Sequence, residues 1–353
     1  MSRVNLVGLL PSELEDLAVE LGASRYRGRQ LATWIYRKSV FDLEAMTDLP
    51  KDFRAVLAER AVLEVPEPER LTPSQDGSQK LVFALAGGSR ISSVLMPDDE
   101  RITLCVSTQA GCGFACAFCL TGVMGLERNL AAAEIVGQVL AANRLLDPEG
   151  RRATHIVFMG MGEPLANFAA LVKSVRVLTD PKLGVGYSPR RLTVSTVGLV
   201  PGIEKLGRED LKVNLAISLH ATTDDVRSRL MPVNGSFDLA ALMAAVGRYP
   251  LASRQRVFFD YVMLEDVNDT TDDARRLAKL LRGLKAKVNL IPFNDWEGAH
   301  FRRPPLARIL SFQSILLDAG ITTTVRWSKG EDIGAACGQL RESPALASVG
   351  ESG

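Results

Sequence analysis

The sequence predicts an α/β protein: a partial parallel (β/α)6 barrel that follows a small N-terminal helical domain and a β-hairpin linker. Two observations predict it. Six apolar, strand-like runs alternate with helical stretches after residue 101, as in parallel sheets with crossover helices. Unusual polar motifs follow these runs. The chain has 353 residues, enough for one large domain and a smaller one.

The first 65 residues predict the small helical domain. The segments ELEDLAVEL, GRQLATWIYRK and KDFRAVLAER carry apolar residues at helical spacing between short breaks. The next segment, EVPEPER, is proline-rich and charged, which favours a linker. Two β-like runs around Gly87 and Gly88 then predict a hairpin. We therefore expect a linker and hairpin over residues 66–100.

Residues 101–341 predict the barrel, and residues 342–353 a flexible tail. The candidate strands are ITLCVST, HIVFMG, RLTVSTVG, VNLAISLH, RVFFDYVML and KVNLIPFN, with TTTVRW as an extra one. Parallel β/α barrels place their active site at the C-terminal ends of the strands. The motifs found there should therefore converge on one cavity; they are GCGFACAFC, GMGEP, STVG, SLH and PFN.

Composition is that of a soluble globular protein, with 46% hydrophobic and 24% charged residues. The N-terminus shows neither a cleavage site nor a long apolar span, so we expect a cytoplasmic protein without membrane contact. The net charge of +1 gives no sign of nucleic-acid binding. An RNA partner must be argued from other features.

Cysteine usage points to metal or redox chemistry. There are five cysteines, an odd number, and clustered cysteines in a reducing compartment rarely form a disulfide framework. Cys112, Cys116 and Cys119 form a CxxxCxxC triplet in a loop rich in glycine and alanine, where the backbone can wrap closely around a cluster. Thiolates are the usual ligands of iron–sulfur clusters.

The triplet is typical of radical S-adenosylmethionine (SAM) enzymes. Three cysteines on a [4Fe–4S] cluster leave one iron open, and in these enzymes that iron binds the amino and carboxylate groups of SAM. Structural zinc is the alternative, but zinc normally takes four protein ligands. Cys105 could supply a fourth ligand, but it lies seven residues upstream of the triplet on a predicted strand. The only histidines are His155, His220 and His300. The spacing and the glycine-rich setting favour the cluster.

Residues at the other strand ends are candidates for binding SAM. In GMGEP, Gly162 and Glu163 would bring backbone and a carboxylate to the SAM amino group, although a tight turn also explains the glycines. Polar residues after strands often only cap the next helix. Their shared location favours a site, and the remaining candidates are Ser195, Ser218, Leu219, His220 and Asn294.

Several motifs together resemble the RlmN and Cfr family of radical SAM RNA methyltransferases. They are LCVSTQAGCGFACAFCLTG, GLERNL, FMGMGEPLAN, RRLTVSTVGLVPGI, NLAISLHA, NLIPFN and GEDIGAACGQL. The last motif and the helical N-terminus are more similar to RlmN. That resemblance implies methylation at C2 of an adenosine in 23S rRNA and, in some members, of an adenosine beside the tRNA anticodon; Cfr-like enzymes methylate C8.

The resemblance also implies the cofactors, a [4Fe–4S] cluster and SAM, and an electron donor such as flavodoxin or ferredoxin. It implies that Cys337 takes a methyl group from one SAM and that a second SAM is cleaved to generate the radical. Cys105 would help to remove the C2 proton while a transient Cys105–Cys337 disulfide releases the RNA. From the residues alone, a buried small hydrophobe is the better interpretation of Cys105, and Cys337 could equally be incidental.

One position departs from the family pattern. Similar sequences carry a glutamate, assigned as a proton acceptor, where this chain has Ser92. Either Cys105 manages the proton alone, or a nearby acid substitutes, or the protein is altered in activity. The candidate acids are Asp98, Asp99 and Glu100.

Two other functions stay open at this point. The chain could be a radical SAM enzyme with a different target, or a non-catalytic iron–sulfur or zinc protein that shapes an RNA-binding surface. A base in folded RNA must be turned out of its stack to reach a barrel cavity, so basic residues should line the cavity mouth. The candidates, which are as often only solvated surface charge, are Arg25, Arg27, Arg29, Arg37, Lys38, Arg190, Arg191, Arg302 and Arg303.

Overall fold

A ten-stranded sheet forms the centre of the protein. The structure is a computed structural model that describes residues 3–342. Most of the predicted tail therefore lies outside the described residues. Glu342, its first residue, is described and is buried.

The N-terminal region is helical, as the sequence predicts. Helix α2 continues into one π-helical turn at Thr33–Arg37, and two short strands, β1 and β2, pair in parallel beside the helices. The elements are β1 (Val4–Asn5), α1 (Pro11–Glu20), α2 (Arg25–Ala32), α3 (Lys51–Arg60) and β2 (Ala61–Val62).

Three antiparallel strands come next: β3 (Pro68–Pro73), β4 (Gln79–Ala84) and β5 (Arg90–Asp98). Strands β4 and β5 are the predicted hairpin. Strand β3 lies in the segment interpreted as a linker, and it forms the edge of the sheet. Prolines are tolerated on an edge strand because the missing N–H can face solvent, so a proline-rich segment can still pair there.

The sheet continues through seven parallel strands in the order β6–β9–β10–β11–β12–β13–β14. All six predicted strands are present, and TTTVRW provides the seventh. The strands, with the small β7–β8 pair, are β6 (Arg101–Cys105), β7 (Gln109–Gly111), β8 (Leu126–Asn129), β9 (His155–Phe158), β10 (Leu192–Thr196), β11 (Asn214–Ser218), β12 (Val257–Met263), β13 (Ala286–Pro292) and β14 (Thr323–Val325).

Helices connect these strands, as expected for β/α units. The α-helices are α4 (Leu120–Met124), α5 (Ala132–Leu146), α6 (Phe168–Thr179), α7 (Val200–Arg208), α8 (Asp224–Leu230), α9 (Leu239–Arg248), α10 (Thr271–Leu280) and α11 (Leu306–Asp318). Short 3₁₀ turns occur at Asp147–Glu149, Pro164–Asn167, Pro189–Arg191, Pro232–Gly235 and Glu331–Ile333.

One continuous apolar core joins the N-terminal helices to the sheet and its covering helices. A second, smaller apolar cluster contains Cys116 and Phe118 of the cysteine loop. Among residues 3–342, every helix is too short or too polar to cross a lipid bilayer.

We predict that Gly28→Ala destabilises the protein, because helices α1 and α2 touch at this residue. A Cβ at Gly28 would lie 2.3 Å from the Cα of Glu15, and overpacking against rigid backbone costs about 2–3 kcal/mol. Urea unfolding measures the free-energy change. Gly235→Ala is the matched control, since a Cβ there meets nothing within 4 Å. Equal stability of the two variants would contradict the close helix packing.

Candidate functional site

Two adjoining cavities lie where the parallel strands end. The smaller has a volume of about 150 Å³ and the larger about 540 Å³. Six residues line both: Cys119, Met159, Gly160, Arg326, Cys337 and Gly338. The strand-end motifs therefore meet at one place, as barrel topology predicts.

The cysteine loop has a backbone that only particular residues permit. Gly111 has φ +72°, and a Cβ there would lie 2.0 Å from the carbonyl oxygen of Gly125. The N–H of Cys112 donates to that same residue's carbonyl at 2.8 Å. Ala115 also has a positive φ, +49°. The loop thus turns tightly at Gly111 and Ala115.

The three thiols of the loop suit a cationic centre. Burial raises the pKa of Cys112 to about 11, and its neighbour Cys119 raises it further. Burial likewise raises the pKa of Cys116, and Cys119 and Cys112 add to it. Three buried thiolates repel one another unless positive charge lies between them. Thiolates are the usual ligands of iron–sulfur clusters, so the chemistry of the three thiols suits such a cluster, although within residues 3–342 no three His, Cys, Asp or Glu side chains are grouped so as to hold a metal ion. Cys119 lines both cavities.

Beside the smaller cavity, Glu163 accepts hydrogen bonds from backbone N–H groups that follow two different strands. Its Oε1 accepts a hydrogen bond from the N–H of Leu165 at 2.9 Å, and its Oε2 accepts one from Val197 at 2.7 Å. Burial raises the pKa of Glu163 to about 7, although both backbone donors oppose the rise. A Cβ at Gly162 would lie 2.4 Å from the Cβ of Gln109, so glycine is required there.

Gly162, Glu163, Ser195, Ser218 and His220 all line the smaller cavity. The structure brings these predicted residues together. Leu219, predicted with them, lines neither cavity. It directly follows β11, and its buried side chain joins the main apolar core.

His220 is held as a neutral donor at the cavity wall. Its Nδ1 accepts a hydrogen bond from the N–H of Val262 at 3.0 Å, which places the ring proton on Nε2. Burial lowers the pKa of His220 to about 3, and the charge of Arg227 contributes. The ring also stacks edge-on against Phe118, with centroids 4.7 Å apart.

Asn294 contacts the segment that carries Cys337. Its Nδ2 donates to the carbonyl oxygen of Cys337 at 3.0 Å and to Ser328 Oγ at 2.8 Å. Its Oδ1 accepts from Arg303 at 3.4 Å. Asn294 lines the smaller cavity with the other candidates, and its amide also holds the backbone of Cys337.

Cys105 ends strand β6 and lines the larger cavity with Cys337. Burial raises the pKa of Cys105 to about 12; Cys337 raises it further and Arg326 lowers it. Cys337 is exposed, and all five cysteines are free thiols. The disulfide implied by the family resemblance is therefore not formed in this structure.

Arg326 is a site residue that the sequence analysis missed. It directly follows β14 and lines both cavities. Burial alone would lower its pKa, but Cys337, Asp260 and Cys105 together raise it. The signal was present, since TTTVRW puts a basic residue at the end of a predicted strand, where barrel enzymes carry functional groups.

Ser92 lies on β5 and is fully buried. Its Oγ donates to Glu342 Oε1 at 2.5 Å. The acids considered as substitutes at this place, Asp98, Asp99 and Glu100, are exposed at the β5–β6 turn, and Asp98 also lines the larger cavity with Cys105 and Cys337. The carboxylate beside Ser92 is instead that of Glu342, from the far end of the chain.

Several candidate RNA-binding side chains are engaged within the fold. Arg25 pairs with Asp16 at 2.7 Å. Arg303 pairs with Glu331 at 2.6 Å. Their charges are therefore partly neutralised. The number of basic residues in these sequence segments is larger than the number of unpaired positive charges they offer to RNA.

Comparisons with known proteins agree with this geometry. Residues 4–63 match the family model of the ribosomal RNA large subunit methyltransferase N-terminal domain, and residues 106–281 match the radical SAM superfamily. The dual-specificity RNA methyltransferase RlmN of Syntrophotalea carbinolica is 49% identical, over 96% of this chain and 90% of the relative. That of Geobacter sulfurreducens is 46% identical, over 96% and 92%.

A solved structure has the same overall fold. The crystal structure of a radical SAM methyltransferase from Sphaerobacter thermophilus superimposes with a TM-score of 0.91 and 48% sequence identity. The match covers 96% of this chain and 99% of that one. The fold likeness thus extends through the helical, antiparallel and parallel parts.

We predict that His220 stays neutral down to acidic pH. An imidazole in the unfolded chain titrates near pH 6.5, whereas burial lowers the pKa of folded His220 to about 3. Since the unfolded state then binds more protons, stability falls as pH drops below 6.5, by about 2 kcal/mol at pH 5. His220→Asn should remove this part of the pH dependence in urea unfolding between pH 5 and 7.5. Titration of the His220 ring near pH 6 in NMR spectra would contradict it.

Proposed function

Because this chain belongs to the RlmN family of radical SAM RNA methyltransferases, we propose that it methylates C2 of an adenosine in 23S rRNA through a methyl group carried on Cys337. One observation carries the proposal. Cys337 lines both cavities, and Cys105 lines the larger one beside it. A methyl group received on one side can therefore be presented on the other.

We assign the cofactors to the smaller cavity and its rim. Cys112, Cys116 and Cys119 would hold a [4Fe–4S] cluster, with Cys119 nearest the cavity. Gly162, Glu163, Ser195, Ser218 and His220 would bind SAM, with the Glu163 carboxylate suited to its amino group. When bound, the cluster and SAM supply the methyl group and the radical chemistry that an electron-poor carbon such as C2 requires.

Cys337 is suited to carry the methyl group. Its sulfur is exposed, and its carbonyl oxygen is held by Asn294. Leu120 fixes the next residue by donating its N–H to the carbonyl oxygen of Gly338 at 2.8 Å. The backbone around the thiol is therefore held while the side chain keeps access to both cavities.

Cys105 would remove the C2 proton and release the product. Burial keeps the pKa of Cys105 at about 12 although Arg326 lowers it, so the thiol must lose its own proton before it can accept one from C2. Arg326, which lines both cavities, is the positive group that would stabilise the thiolate once it forms. Once the adduct has returned its unpaired electron to the oxidised electron donor, the Cys105 sulfur would give up its proton and bond to the Cys337 sulfur. The bond from the Cys337 sulfur to the transferred carbon would break, that carbon would take up a proton as the RNA leaves, and cellular thiols would reduce the resulting Cys105–Cys337 disulfide.

The RNA partner is assigned to the N-terminal helical domain, residues 1–65, and to the cavity mouth. The adenosine must be turned out of its stack to reach the larger cavity, at a cost of about a few kcal/mol that backbone contacts offset. The match of residues 4–63 to an rRNA methyltransferase domain supports this. We further propose tRNA as a second substrate, a cytoplasmic location, and flavodoxin or ferredoxin as electron donor.

The division of work between the two lone cysteines is testable. We predict that Cys337→Ala abolishes methylation because no methyl carrier remains, whereas Cys105→Ala leaves RNA covalently trapped on the protein. Intact mass should show one extra methyl group on Cys337 in wild-type protein, and nucleoside mass spectrometry of 23S rRNA reads out C2 methylation.

Two results would contradict these roles. The first is an unmethylated Cys337 after anaerobic reconstitution with iron, sulfide and SAM. The second is free methylated RNA released by the Cys105→Ala protein at the normal rate. Methylation at C8 instead of C2 would change the product and leave the carrier role intact.

A further inference from the structure

A buried ionic cluster joins the end of the chain to the antiparallel strands. Glu342 Oε1 accepts from Lys80 Nζ at 2.7 Å and from Ser92 Oγ at 2.5 Å. Arg70 reaches the other oxygen at 3.2 Å. The side chains of Glu342 and Lys80 are only 4% and 9% exposed. Both charges are therefore largely removed from water, and each depends on the other.

The strand register places this cluster beside Cys105. Val94 of β5 is opposite Cys105 on one side and opposite Lys80 on the other. Ser92 lies two residues along β5, on the same face. Diagonal neighbours on one face are about 7–8 Å apart. Glu342 thus rests on the sheet face that carries Cys105, and it follows Cys337 by five residues.

Glu342 does not line either cavity, and both its oxygens already accept bonds from protein groups. It is therefore not placed to touch RNA or SAM. A buried lysine without its carboxylate is strongly unfavourable, so the segment that ends in Glu342 is held onto β4 and β5. The same segment is also held by Thr121, whose Oγ1 donates to the carbonyl oxygen of Leu340 at 2.5 Å.

We propose that Glu342 is a positioning residue that anchors the Cys337 segment on the strands beside Cys105 and so sets the approach of the two thiols. It supplies the carboxylate that β5 lacks at Ser92. This inference rests on the proposed function in one respect, that Cys105 and Cys337 are the two thiols that react with each other.

The test measures how fast Cys105 and Cys337 combine, without RNA. Cluster-loaded full-length protein is treated with the diazene oxidant diamide, which takes up the two thiol hydrogens as the disulfide forms. Mass spectrometry of the tryptic peptide pair gives the rate, and fragmentation assigns the bond to Cys105 because peptide 102–128 also carries Cys112, Cys116 and Cys119. Because no methylation is involved, a failed methylation assay leaves this measurement interpretable.

Four variants separate anchoring from charge. Releasing one end of a loop lowers the effective concentration of its thiol, so Glu342→Gln should slow disulfide formation about tenfold. Ser92→Ala, which removes one hydrogen bond and keeps the ion pair, should slow it about threefold. The double variant Ser92→Glu/Glu342→Gln moves the carboxylate to position 92 and puts an amide at position 342. A contact between the two positions is kept, so the rate should return to within about twofold of wild type. Ser92→Glu/Glu342→Ala restores the charge without the anchor and should stay slow.

Glu20→Gln, an exposed change at the end of α1, is the matched control and should keep the wild-type rate. A wild-type rate in Glu342→Gln would overturn the proposal. So would equal recovery in both double variants, because charge alone would then suffice. If Glu342→Gln does not fold, Ser92→Ala and the exchanged double variant decide by the same criterion.

Discussion

The arrangement of the site depends on the hydrogen bonding of strand β6 to two different neighbours. It pairs antiparallel with β5 and parallel with β9, and so joins the hairpin strands to the barrel strands. Cys105 ends this strand, and the chain then enters the loop with the other three clustered cysteines. Because a shift of one residue would turn every side chain to the other face, the register fixes a thiol, the cysteine loop and Ser92 relative to one another.

Burial then decides the chemistry of these groups. Cys105 keeps its proton because its surroundings are apolar, and Arg326 is the nearby charge that opposes this effect. His220 is kept neutral by the same physical cause. The smaller cavity therefore has a neutral donor and the Glu163 carboxyl group in its wall, and the larger has the Cys105 thiol. The two cavities share Cys337 and the Arg326 guanidinium.

The segment with Cys337 differs from the rest of the site because no sheet hydrogen bonds hold it. Side chains from distant parts of the chain do so instead: Asn294 from the end of β13, Thr121 from α4, and Lys80 with Ser92 from the hairpin. Such contacts can be rearranged by single substitutions more easily than a strand can. A carboxylate can therefore lie beside β5 even though the strand itself carries a serine, because Glu342 contacts Ser92.

The sequence by itself determined the elements and the chemical types: the seven strands, the helices between them, the cysteine triplet and the strand-end motifs. These follow from local periodicity and from spacing within a few residues, which a linear chain displays directly. Tertiary structure alone decided which polar groups became partners. In the folded protein, Leu219 packs in the core and the Asn294 amide contacts Cys337. Arg326 lines a cavity with both thiols, and Glu342 contacts Ser92. Those contacts join residues from distant parts of the chain. Local sequence patterns place polar groups at strand ends, but they do not specify which of those groups contact one another.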